Sequence, residues 1–125
     1  MYHILVVDDE AKIREIIKKY AVFEGYRVSE AANGMEAIDL CRTESFDLII
    51  MDVMMPELDG LSATRAIRGM DRPDAQLPII AMTANLFDED VAAFLAAGMD
   101  AHIPKPLEAG QMIKTIAEWL ERKKQ

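Results

Sequence analysis

Three carboxylates mark the chemistry open to this chain. Asp8 and Asp9 follow the apolar run 4–7, and Asp52 follows the run 48–51, so each stands where a short buried strand should end. Acids gathered at adjacent strand ends repel one another unless a cation lies among them, and a hard divalent cation takes oxygen ligands of this kind. Thr83 follows the run 78–82 and places a hydroxyl at the same edge, while Lys105 follows a fifth apolar run and can neutralise an anion. A carboxylate beside a cation site, a hydroxyl and an ammonium suits acceptance of a phosphoryl group. Each residue alone has a plainer reading: Asp8 and Asp9 as a helix cap, Asp52 as a turn residue, Thr83 as a cap, Lys105 as a solvated lysine. Their joint placement favours chemistry. Proline after Lys105 also raises the chance of a cis bond, which would aim the lysine inward.

The elements that must position these groups follow from periodicity. Residues 3–7, 27–31, 47–51, 78–82 and 100–103 read as strands, and 5–7 and 48–51 are apolar on both faces, as buried parallel strands are. Ile13, Ile16, Ile17, Tyr20 and Ala21 share one helix face, ended by Gly25. Asn33-Gly34 opens a second helix near 34–44, and a third is expected near 59–69, before the turn-rich Asp71-Arg72-Pro73-Asp74. A fourth near 86–97 starts with Asp88, Glu89 and Asp90, charges that favour a helix N-terminus, and a fifth runs near 108–122. Strict alternation of five strands with five helices implies a parallel sheet covered on both faces. Ligands of such sheets bind beyond the carboxyl ends of the strands, where the acids lie.

The chain of 125 residues fits one domain, residues 1–125, with 51% hydrophobic and 29% charged residues as in globular proteins. A net charge of −8 argues against direct nucleic-acid binding, which needs a clustered basic face. No apolar run approaches a membrane span and no secretory signal opens the chain, so a cytoplasmic location is expected. Cys41, the single cysteine, lies in a helical stretch and reads as a small buried apolar residue.

Four segments occur in a telling order: Val6-Val7-Asp8-Asp9-Glu10, then Ile50-Met51-Asp52-Val53-Met54-Met55-Pro56-Glu57-Leu58-Asp59-Gly60, then Met82-Thr83-Ala84, then Lys105-Pro106. In order and separation they resemble the receiver domains of two-component response regulators, over essentially the whole chain. The resemblance implies an α/β fold that is flavodoxin-like and CheY-like, a doubly wound five-stranded parallel sheet of order 2-1-3-4-5 with five flanking helices. It implies that Asp52 takes a phosphoryl group from a phosphohistidine on a sensor histidine kinase or a histidine phosphotransfer domain, then signals to a partner or output domain. Asp8, Asp9, Asp52 and the backbone carbonyl of Met54 would hold Mg2+ with water, Lys105 would neutralise a second phosphoryl oxygen, and Thr83 would hydrogen-bond a third. The protein would be a switch with self-catalysed phosphorylation and slow autodephosphorylation, not a turnover enzyme, and a monomer or weak dimer.

In such receivers the first helix and the loop after the fifth strand meet the donor, which maps to Ile13, Arg14, Pro106 and Leu107; Ile13 is either an exposed apolar anchor for the donor or simply a core residue. Met54 and Asn85 would flank the water that hydrolyses the phosphoryl group. One is apolar and the other lacks a carboxylate's charge, so a long-lived phosphorylated state is expected. His102 stands where receivers usually carry an aromatic switch residue, three positions before the lysine; it either alters the switch or lets it report charge as well as packing, and its plainer reading is a surface histidine with no role. The segment after Lys105 lacks the charged pattern by which winged-helix regulators dimerise. Residues 1 to about 60 look like receivers of those regulators, whereas 80–85 and 97–106 look like receivers fused to hybrid kinases. Rival classes fit less well: none of the six glycines is followed by lysine, as a P-loop requires, and Met54 stands where an aspartate-nucleophile phosphatase needs a second acid. A receiver-like fold used only for docking would not need the complete acid, threonine and lysine set.

Overall fold

The computed structural model describes residues 1–55, 58–71, 73–84 and 88–123. Strands β1 (His3–Val7), β2 (Arg27–Ala31), β3 (Leu48–Asp52), β4 (Ile79–Thr83) and β5 (Ala101–Pro104) alternate with helices α1 (Ala11–Phe23), α2 (Gly34–Thr43), α3 (Gly60–Arg68), α4 (Asp88–Ala97) and α5 (Ala109–Lys123). A single 3-10 turn, Pro73–Gln76, precedes β4. All neighbouring strands pair in parallel, in the order β2-β1-β3-β4-β5. That is the doubly wound arrangement expected from the sequence.

Every residue of β1, β3 and β4 is buried, because these strands are apolar on both faces and lie inside the sheet. Alternate residues feed two separate cores. Leu5, Val7, Ile49, Met51, Ile79 and Ala81 meet Ala37 and Ile38 of α2, Ala63 and Ile67 of α3, and Phe94 of α4. Ile4, Val6, Leu48, Ile50, Ile80, Met82 and Ile103 meet Ile17 of α1 and Met112, Ile116 and Leu120 of α5. Cys41 is buried in the first of these cores, as its helical setting suggested. The edge strand β2 is mixed, with Arg27 and Glu30 exposed.

Local signals set the element ends. Asn33 caps α2 by accepting the Glu36 N–H at 2.9 Å, and Asp59 caps α3 by accepting the Ser62 N–H at 2.8 Å. Gly25 and Gly98, with φ of 91° and 105°, turn the chain after α1 and α4 in a conformation that side chains rarely adopt. The last three strands each run one residue later than the apolar runs suggest. Hydrogen bonding continues past the last apolar residue, so Asp52 and Thr83 end β3 and β4 instead of following them, and Asp52 pairs in register with Met82. The Asp52 carboxylate and the Thr83 hydroxyl are thereby carried on residues held by the sheet. Residues 86 and 87, the expected start of the fourth helix, lie outside the described residues, and α4 is described from Asp88.

Candidate functional site

The carboxyl ends of β1 and β3 bring the acids together. Asp8, Asp9 and Asp52 each offer a carboxylate oxygen, and these oxygens all lie within 4.8 Å of one another. Asp8 and Asp52 are buried, whereas Asp9 is exposed. Lys105 reaches into the group from the loop after β5, its Nζ 3.2 Å from Asp8 Oδ2 and 3.4 Å from Asp52 Oδ2. The Lys105–Pro106 bond is cis. Main-chain donors complete the shell: Asp8 Oδ1 accepts the Glu10 N–H at 2.9 Å, and Asp52 Oδ1 accepts the Met54 N–H at 3.2 Å.

Burial raises the carboxyl pKa of Asp8, helped by the charge of Asp9, while the Glu10 N–H and Lys105 pull it down. Burial likewise raises Asp52, and the Asp8 carboxylate adds to the rise against Lys105 and the Met54 N–H. Burial works against the Lys105 ammonium, but Asp52 and Asp8 outweigh it and hold the group above the usual lysine range. One ammonium cannot balance three carboxylates. A compact set of hard oxygen donors with surplus negative charge fits a small divalent cation, so the residues present suit a metal.

Thr83 is buried at the end of β4, and its carbonyl accepts the Lys105 N–H at 3.0 Å, tying the lysine's backbone to the hydroxyl's strand. Met54 is 73% exposed, at the mouth of the site. Asn85 lies outside the described residues. His102 is exposed and pairs in register with Ala81; it lines an open cleft with Val91, Phe94 and Trp119.

The residues expected to dock the donor differ in exposure. Ile13 is half-buried and packs against the α1–α5 core, so only part of its side chain is open to a partner. The exposed apolar side chains of α1 are Ile16, Tyr20, Val22 and Phe23. Arg14 turns inward: its Nη1 donates to the Asp8 carbonyl at 2.6 Å and its Nε to Glu30 at 3.2 Å. Pro106 is exposed, and Leu107 packs partly on the same core as Ile13. Two supports escaped the sequence reading, Glu30 on β2 and Gly60 at the start of α3. A Cβ on Gly60 would overlap the Asp52 carbonyl, so only glycine lets α3 begin this close to Asp52. The Asp59-Gly60 pair, a cap followed by glycine, was the available signal.

Comparison with known proteins agrees with this geometry. The family described as response regulator receiver domain matches residues 4–117. Response regulator MprA of Mycobacterium tuberculosis is 38% identical over 121 residues, which are 97% of this chain and 51% of that protein. MprA of Mycolicibacterium vanbaalenii is 38% identical over 119 residues, 95% of this chain and 50% of that protein. The chain thus spans about half the length of the curated relatives it matches. Among solved structures, the receiver domain of sensor histidine kinase PA1611 from Pseudomonas aeruginosa, with a magnesium ion in its active-site cleft, superposes with a TM-score of 0.87 at 34% identity, over 96% of this chain and 98% of that one. Chemotaxis protein CheY4 of Vibrio cholerae gives 0.90 at 31% identity, over 94% and 98%. The chain belongs to the response regulator receiver domain family, the phosphoacceptor module of two-component signalling. Among the described residues no helix is long and apolar enough to cross a membrane.

Proposed function

We propose that Asp52 is the phosphoryl acceptor of a two-component relay, residues 1–125 acting as one cytoplasmic receiver domain, and that the phosphorylated state signals to a partner or output domain. The observation that carries this is a buried carboxylate at a strand end, facing an ammonium at 3.4 Å and lying beside two further acids. An Asp52 oxygen attacks the phosphorus of a phosphohistidine on a sensor histidine kinase or histidine phosphotransfer domain; the new P–O bond forms as the P–N bond breaks and the imidazole leaves. Asp8, Asp9, Asp52 and the Met54 carbonyl would hold Mg2+, which would supply positive charge to offset that building on the phosphoryl oxygens. Lys105 swings its ammonium from the carboxylates to a phosphoryl oxygen, and the Thr83 hydroxyl donates to another.

The domain promotes its own phosphorylation by positioning and electrostatics alone. Met54 and Asn85 border the path of the hydrolytic water, and His102 takes part in the switch on β5. Donor docking uses Pro106, Leu107 and the exposed side of α1, and the absence of a charged dimerisation pattern after Lys105 supports a monomer or weak dimer.

Incubation with an acyl phosphate and Mg2+, followed by intact-mass measurement, tests the reading. One phosphoryl group is expected on the wild type and none on D52N or D9A. Equal labelling of D52N would move the acceptor elsewhere, and equal labelling of D9A would take the metal out of the reaction.

A further inference from the structure

Four contacts hold Asp8, and two of them involve its main chain. Its N–H donates to the Ala31 carbonyl at 3.2 Å, at the end of the neighbouring strand β2. Its carbonyl accepts from Arg14 Nη1 at 2.6 Å, and the same guanidinium gives its Nε to Glu30 Oε1 at 3.2 Å. Glu30 precedes Ala31 on β2 and lies in register with Val6, so both holds lead to one strand. Lys18, a turn further along α1, also pairs with Glu30, at 3.6 Å, but among the described residues it makes no hydrogen bond to the acidic loop.

We propose that Arg14 is a positioning residue for the cation site: strapped to β2 by Glu30, its guanidinium sets the peptide plane between Asp8 and Asp9 and thereby places the stretch of backbone that carries both carboxylates. The inference rests on the metal reading given above. A peptide unit is planar, so fixing the Asp8 carbonyl also fixes the Asp9 N–H and the position of the Asp9 Cα from which its side chain starts, leaving rotation about the Asp9 N–Cα bond and its side-chain torsions. Asp9 is exposed, and packing cannot aim it. Asp8 is aimed a second time through its side chain, by Glu10 and Lys105, which leaves Asp9 the more dependent of the two. A planar fork can serve a carbonyl and a carboxylate together, whereas the ammonium of lysine is a point charge that does not offer this fixed geometry.

Calorimetric titration of the whole chain with Mg2+ alone tests this, using wild type, R14Q, E30Q and K18Q, with metal-free melting curves run beside it. R14Q and K18Q remove the same charge from the same helix and each takes a partner from Glu30, so they differ in the hold on Asp8. R14Q is expected to weaken Mg2+ binding about tenfold, the lower end of what losing an outer-shell partner costs. E30Q weakens it in the same direction by less, since the guanidinium stays but loses its strap, and K18Q leaves it unchanged. Should R14Q fail to fold, E30Q set against K18Q carries the test. Wild-type affinity in R14Q, or equal weakening in K18Q, would overturn the role of Arg14. No Mg2+ binding by the wild type would instead overturn the metal reading itself.

Discussion

At the scale of single residues, the acid pair has a measurable effect before any phosphoryl group arrives. Asp8 and Asp52 keep their protons to a higher pH when folded than in the unfolded chain, where such carboxyls titrate near 3.8. A raised carboxyl pKa contributes stability that is fully present below 3.8 and lost as pH rises through the folded values. D52N carries no charge across that range. In chelator, its melting temperature should therefore rise relative to wild type as pH climbs from acid to neutral, and a difference that stays constant with pH would show that repulsion within the site is not felt. Met54 offers a second test, because its exposed thioether gives the hydrolytic water no strong hydrogen bond. An asparagine there adds one, worth about 1 kcal/mol of barrier or roughly fivefold in rate. M54N should lose its phosphoryl group faster by that factor, followed by intact mass after removal of the donor with Mg2+ present. Unchanged decay would place the limit elsewhere.

At the scale of elements, the site depends on how closely α3 approaches the end of β3. The Gly60 N–H donates to the Val53 carbonyl at 3.1 Å, and a methyl group at Gly60 would meet the backbone of Asp52. Backbone cannot step aside as a flexible side chain can. G60A should cost about 1–3 kcal/mol, as overpacking does, and should also displace the acceptor. Denaturant unfolding measures the first effect and the rate of labelling by an acyl phosphate the second. A stable G60A protein that labels at the wild-type rate would mean that α3 shifts freely.

At the scale of the whole molecule, the two ends of the sheet have different work. The acids occupy the carboxyl ends of the strands, while a clasp of neutral and charged groups closes the opposite end around Arg68. Its guanidinium donates to the carbonyls of Ala75, Leu77 and Gly98 at 2.6–3.0 Å and pairs with Asp100 at 2.8 Å. Asp100 Oδ2 in turn accepts the Ile79 N–H at 2.9 Å, so one side chain joins α3 to the segments that enter β4 and β5. R68A should cost about 2 kcal/mol or more by stripping those acceptors of partners, a fall in Tm of roughly 6–12 °C for a chain of this size. Mg2+ affinity should not change, since the clasp lies across the sheet from the acids. A loss of metal binding in R68A without a loss of stability would show the two ends to be coupled.

Much of this was legible in the amino-acid order, because it rests on local rules. Apolar runs of strand length, bounded by helical periods, determined five strands and five helices, and Asn33-Gly34 and Gly25 marked two of their ends by the chemistry of caps and turns. The placement of Asp8, Asp9 and Asp52 at strand ends followed directly. Partners across the fold were another matter. Lys105 lies 97 positions from Asp8, and nothing in either neighbourhood says that the ammonium sits between two carboxylates in the absence of a phosphoryl group. Ile13 and Arg14 belong to one helical turn, yet one packs into the core and the other turns back to the acidic loop, because the sheet lies beneath the first and Glu30 stands beside the second. Sequence periodicity sets which face of a helix is apolar. How deep each residue of that face sits, and which charges meet, depends on the neighbouring strand, and only the closed tertiary structure brings that strand alongside.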